Sequence, residues 1–262
     1  MEEPQASLTT EKASAPATSL GTRLTNVFVA PGEVFDEVKA GPPTATNWIV
    51  PTIISIIAGV VYTMVVFSQP GVLQNMKDAQ DKRMQEMVAQ GKMTQAQADQ
   101  SEQMAERFMT PTMIRTFGIL AIVIFNPVSL FLFAGVMWLV GRYALHGNFQ
   151  YIKGVEVTGV TGMISVLGTV VTMLLAVIYA NPAMTPSPVL FLGHFDPQNK
   201  VHVLLSALNV MMIWYIAVLA MGLARLSTAP FWKAAVWLYG LWYGVWAVFA
   251  LGVPALVEKL KH

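Results

Sequence analysis

Few residues in this chain have the types and spacing that chemistry needs. His194 and His202 bracket Asp196 in one link, a set that could ligate zinc. Two histidines and an aspartate without a fixed spacing also occur as ordinary interfacial polar groups. Met76, Met84, Met87, Met93, Met104 and Met109 cluster in one polar stretch, and thioethers are soft enough to bind cuprous ion. Met-x-x-Met occurs only once there, no histidine supports it, and methionine equally fills gaps in loosely packed helices. Glu156 could carry a proton, or it could pair with Lys153 or Arg142 at the membrane surface, where charges at span ends reach for water.

Other chemistry is ruled out by composition. The 262 residues include no cysteine, which excludes disulfides, thiolate metal sites and a cysteine nucleophile. No Gly-rich phosphate loop ends in Lys-Ser or Lys-Thr, and no His-Glu-x-x-His occurs. His146, His194, His202 and His262 lie far apart in sequence. The expectation is no catalytic residue, no bound metal and no cofactor. Net charge is +1, which gives no electrostatic case for nucleic acid.

The elements that carry these residues are dominated by lipid. Charged residues make up 12% of the chain and hydrophobic ones 55%, against roughly 25% charged in a soluble domain. Five stretches, 48–67, 117–140, 157–180, 203–224 and 234–257, contain no Asp, Glu, Lys or Arg. Each reaches the ~20 residues that a helix needs to cross a bilayer. Lipid offers no partner to a bare backbone group, so each must be helical. The fold class expected is all-α: a polytopic integral membrane protein, a bundle of five transmembrane helices.

Around the spans, residues 1–19 are too polar to offset ordering and read as a disordered tail. Leu20, Leu24 and Val27 follow helical spacing, and Pro31 opens a second short helix with Val34, Phe35 and Val38 on its apolar stripe. This amphipathic region could lie on headgroups, sit under the bundle, or dock a partner. Residues 68–116 form a polar, charge-balanced insertion, read as an extramembrane helical hairpin. Its first helix covers about 73–90, Gly91 breaks it, and Thr94 with Gln97 caps the second. Residues 258–262 are a short tail.

Within the spans, Asn126-Pro127 near the middle of the second and Asn209 near mid-depth of the fourth are the conspicuous polar positions. Proline removes a helix hydrogen bond and kinks the rod. Such groups mark either a substrate path or broken helix, or a hydrogen bond between helices. Gly240 and Gly244 form a Gly-x-x-x-Gly face suited to close helix approach. Trp48 and Trp232 suit an interfacial belt.

Basic residues orient the bundle. Arg142 and Lys153 flank the second–third link, and Arg225 and Lys233 the fourth–fifth link. The positive-inside rule puts these links and the N-terminus in the cytoplasm and the C-terminus outside, although the first loop also holds six basic residues. The start MEEPQASLTT does not read as a cleavable signal, so the first span is expected to act as an uncleaved insertion signal.

Three short stretches carry a family likeness. Leu24…Phe28-Val-Ala-Pro31…Phe35…Val38 resembles the opening of the Ypt-interacting-protein (YIP, "Yip-one") domain family. Gly141-Arg142…Leu145-x-Gly147-x-Phe149 resembles its glycine-containing link, and Gly222-Leu223-Ala224-Arg225…Lys233-Ala234 its link between the last two spans. The resemblance covers about residues 20–257 and is closest to prokaryotic members. It implies a five-helix membrane bundle without enzymatic activity, placed in a prokaryotic cytoplasmic membrane. Eukaryotic relatives are adaptors that bind Rab-type GTPases, but their acidic, aromatic N-terminal motif is absent here, so Rab binding is not carried over.

The function expected is therefore a membrane adaptor or scaffold. Its partners would be the lipid bilayer and a membrane or cytoplasmic protein, or a second copy of the chain. The alternative is a small-molecule or lipid transporter with a polar cavity around Asn126 and Asn209. No ionisable residue inside a span and no inverted repeat supports gradient-driven transport. A third reading is an accessory subunit held by the Gly240/Gly244 face.

Overall fold

The computed structural model describes residues 18–252 except 109, 193–194 and 196–198. The tails at 1–17 and 253–262, with Met109, His194 and Asp196, lie outside the described residues. The described chain is all helix and connecting loop. Helices α1 (Leu20–Asn26) and α2 (Pro31–Ala40) precede α3 (Thr46–Val66). Then come α4 (Pro70–Ala89), α5 (Gln95–Phe108) and α6 (Pro111–Leu139), the last running on through a π-helical turn at Val140–Ala144. After them follow α7 (Tyr151–Ile178), α8 (Lys200–Ala207), α9 (Val210–Ser227) and α10 (Phe231–Ala247), with a second π-helical turn at Val248–Gly252.

Four helices are long and apolar enough to cross a membrane: Thr46–Val66, Pro111–Ala144, Tyr151–Ile178 and Val210–Ser227. Their outward faces are apolar, with Ile53, Ile57, Phe125, Leu132, Leu174 and Ile178 all exposed. Such faces suit hydrocarbon and have no other plausible solvent.

The helices that carry the spans differ from the apolar runs in three places. The second helix begins at Pro111, ahead of residue 117, because Thr110 accepts from the Met113 backbone N–H and fixes the helix start there. The third begins at Tyr151, ahead of residue 157. Lys153 and Glu156 are buried in its first turns and neutralise each other, so they need not stay outside the helix. The fourth is broken: α8 ends at Ala207, and α9 starts afresh after Asn209.

That break leaves backbone groups that lipid cannot satisfy. The Asn209 side chain accepts from the N–H groups of Met211 and Met212 at 2.9 and 3.2 Å. The Val210 N–H donates to Pro186 O at 2.9 Å. Tyr243 Oη on α10 reaches Ala207 O at 3.4 Å, and Tyr239 Oη donates to Ile213 O at 2.6 Å. The tyrosines of α10 thus fasten it to the broken element.

Helices α3 and α7 form the central pair. Their backbones approach so closely at Gly159 that a Cβ there would lie 2.5 Å from Trp48 Cα. Helix α6 packs on both, α9 on α7, and α10 on α9. Helix α2 lays Val34, Phe35 and Val38 against α9 and α7, where all three are buried. The amphipathic stripe is therefore covered by the bundle itself. In the insertion, Gly91 turns the chain with φ 67°, and Thr94 N–H donates to Gln97 Oε1 at 2.9 Å.

Candidate functional site

One end of the bundle gathers nearly all of its unusual chemistry. The end of α6, the start of α7, the end of α9 and the start of α10 meet there, and α1 and α2 cover it. Glu156 is fully buried in α7. Its Oε1 accepts from the Thr44 backbone N–H at 2.7 Å and from Asn47 Nδ2 at 2.8 Å. Its Oε2 receives no hydrogen bond, but Lys153 Nζ stands 2.9 Å away as the counter-charge.

Lys153 is tied further. Its Nζ donates to Val38 O at 2.7 Å and Gly41 O at 2.8 Å, at the C-terminal end of α2. A cation there meets carbonyls left over by the helix and the negative end of its dipole. Asn47 in turn accepts from Arg23 Nη1 on α1 at 2.7 Å, and Arg23 Nε lies 3.6 Å from Glu37 Oε2. A chain of charge and amide thus joins α7, α3, α1 and α2.

A buried pair of this kind adds little net stability over an apolar replacement. Removing one partner, however, strands the other at a cost of about 3–5 kcal/mol. Here the network ties α1 and α2 to the starts of α3 and α7.

Glycines make the same fit tight. A Cβ on Gly222 would lie 2.2 Å from Val157 Cγ1 and 3.3 Å from the Phe35 ring. One on Gly141 would lie 2.5 Å from the Phe149 ring, and one on Gly147 2.6 Å from Ser227 Cβ. The three stretches that carry the family likeness therefore meet in one place. Phe35, Gly222, Gly141, Gly147 and Phe149 are a mutual packing set and not separate motifs.

The four basic residues assigned to links have different fates. Arg142 is exposed and donates to Asn148 Oδ1 at 2.9 Å. Arg225 is about half exposed and meets Asp36 at 3.2 Å, while its carbonyl accepts from Lys39 Nζ at 2.6 Å. Lys233 is exposed, 5.6 Å over the Trp232 ring. Lys153, the third residue of α7, flanks the link from inside the helix and is buried. Asn47 and Arg23 escaped the sequence reading; the only hint was the i,i+3 spacing of Lys153 and Glu156 at the edge of an apolar run.

Asn126 within α6 and Asn209, the N-cap of α9 and not the middle of an unbroken span, line two adjoining cavities between α6 and α9, floored by α3 and α7. Asn126, beside Pro127 within α6, lines a cavity of about 160 Å³. Asn209 lines a larger one of about 520 Å³ toward the opposite end. Ser165, Met212 and Tyr215 line both. Gly240 and Gly244 face open space, with nothing within 4 Å of a Cβ at either. His202, the described member of the candidate zinc set, stacks on Phe195 with ring centroids 6.3 Å apart. Among the described residues no three His, Cys, Asp or Glu side chains come together.

Comparison with known proteins fits the packing set just described. The family model described as Yip1 domain matches residues 25–253. No curated protein and no solved structure matches the chain. The matched segment begins at the end of α1 and takes in α2, every membrane-capable helix and the glycine-bearing links, and the chain belongs to the Yip1 domain family.

Proposed function

We propose that this Yip1 domain protein is a non-enzymatic membrane adaptor, and that its working surface is the α1–α2 cap with the basic links around it. The observation that carries this reading is the buried Glu156–Lys153–Asn47–Arg23 network. Its effect is to hold two short helices in fixed register on a bundle end. A lipid-lying helix would need no such lock. A presented surface gains from it, because a rigid patch loses little entropy on binding.

In this reading five helices cross a prokaryotic cytoplasmic membrane. The fifth is Phe231–Gly252, whose helical turns extend for roughly 33 Å at about 1.5 Å per residue. The N-terminus, Arg142, Arg225 and Lys233 face the cytoplasm, as positive-inside asymmetry favours. Helices α4 and α5 then stand on the outer side. The exposed outer face of α2 offers Glu33, Asp36 and Lys39, with Arg225 beside them. A protein partner of mixed charge suits that patch.

The test is a photo-crosslinking residue placed at Glu33 in cells. A discrete, stoichiometric protein adduct that weakens in Arg225→Glu supports the adaptor reading. Adducts to lipid alone would refute it.

A further inference from the structure

The groove between α6 and α9 carries polar groups without partners. Asn126, Ser55, Ser165 and Tyr215 line its smaller cavity, and none of their side chains makes a hydrogen bond among the described residues. Four threonines in α3 and α7 are satisfied within their own helices. Thr63, Thr158, Thr161 and Thr169 each donate to the carbonyl one turn back at 2.7–3.0 Å. Ser55, Asn126 and Tyr215 are half-buried and Ser165 is exposed along the groove; an amide or hydroxyl left unpaired at bilayer depth is costly, so a groove lined by these four calls for a polar partner.

The chemistry of that partner is narrow. Neither cavity is lined by Asp, Glu, Lys, Arg or His. A phosphate or ammonium head would be unpaired there, at the cost that intramembrane charges carry. A hydroxyl or ester carbonyl would instead match Asn126, Tyr215 and the two serines. The smaller cavity, at 160 Å³, has room for about five waters at roughly 30 Å³ apiece, hence for a glycerol-sized head. The larger, at 520 Å³, lies within the ~300–1,000 Å³ of ordinary ligand pockets. Its walls include Ile122, Met211 and Met212, which suit hydrocarbon.

We infer that the groove binds one uncharged glycerol-headed lipid, of the mono- or diacylglycerol class. The head sits against Asn126 and Tyr215, and an acyl chain fills the cavity that ends at Asn209. Pro127 contributes by breaking the helix ladder beside Asn126, which leaves that wall irregular. No residue of α1 or α2 lines either cavity, so lipid labelling of the groove and protein adducts at Glu33 test the two readings separately.

The experiment uses the full chain in phosphatidylcholine nanodiscs. Two photoactivatable probes are doped at equal mole fraction: a diacylglycerol and a phosphatidylcholine with the same labelled chain. The diacylglycerol probe should label peptides of α6, α7 and α9 about tenfold more than the other. Unlabelled diacylglycerol should compete. Tyr215→Phe, which keeps the ring against Phe133, should cut the labelling about two- to tenfold, the worth of one hydrogen bond. Asn126→Leu should do the same, and Tyr215→Phe decides if that variant misfolds. Equal labelling by both probes would mean annular bilayer lipid only, and absent groove labelling would mean water only; either overturns the inference.

Discussion

Glu156 on α7 accepts the side-chain amide of Asn47 on α3 at 2.8 Å, across 109 residues of sequence. This single bond sits where the two central helices and the α1–α2 cap meet. It makes Asn47 an intermediary: its amide N serves Glu156 while its carbonyl O holds Arg23.

Replacing Glu156 with Leu should strand Lys153 and destabilise the purified protein by about 3–5 kcal/mol. Glu156→Gln should cost clearly less, because its carbonyl can still accept from Asn47 and Thr44. Reversible unfolding in detergent compares the two. Equal losses would show that hydrogen-bond acceptance at this position is unimportant.

A side chain on Gly222 should displace α2. Gly222→Ala should lower stability, and Val157→Ala should partly restore it by removing the Cγ1 atom 2.2 Å from the new Cβ. The chain has no cysteine, so Val34→Cys gives a clean reporter: buried in the parent, it should react with maleimide faster in Gly222→Ala. Unchanged reactivity would contradict the packing described.

Asn209→Ala should cost about 1 kcal/mol by removing the N-cap of α9, and Asn209→Asp should retain most of it. The readout is the unfolding midpoint of each variant in one detergent. An alanine variant as stable as the parent would mean that the cap is satisfied by other groups.

Much of this was legible in the sequence. Charge-free runs announce spans, because no other solvent accepts such surfaces. The three family-like stretches were visible as well, yet not that Phe35, Gly141, Gly147 and Gly222 share one packing site, since sequence spacing carries no distance between helices. The pairing of Lys153 with Glu156 was legible from their i,i+3 spacing, but not its burial inside α7 under α2, because charges at the edge of an apolar run read as surface groups. The break at Leu208-Asn209 was legible only as one of several alternatives for Asn209: no Gly or Pro marks it, and an uninterrupted apolar run on both sides reads equally well as one helix. The groove is purely tertiary, made by α6 and α9 resting on α3 and α7 without closing on each other.

Gly240→Ile should leave the unfolding of the isolated chain unchanged, because nothing lies within 4 Å of a Cβ at Gly240 or Gly244. Any effect should be confined to association, seen as a change in cross-linked dimer or partner complex in the membrane. A loss of monomer stability would place a neighbour on that face.

The adaptor reading depends most directly on which side of the membrane the α1–α2 cap faces. The measurement is labelling of single cysteines by a membrane-impermeant maleimide, in intact cells and in inside-out vesicles. Glu33→Cys, on the exposed face of α2, should react only in inside-out vesicles. Lys92→Cys, exposed in the turn between α4 and α5, should react only in intact cells. The reverse pattern would put the cap outside the cell and contradict the account.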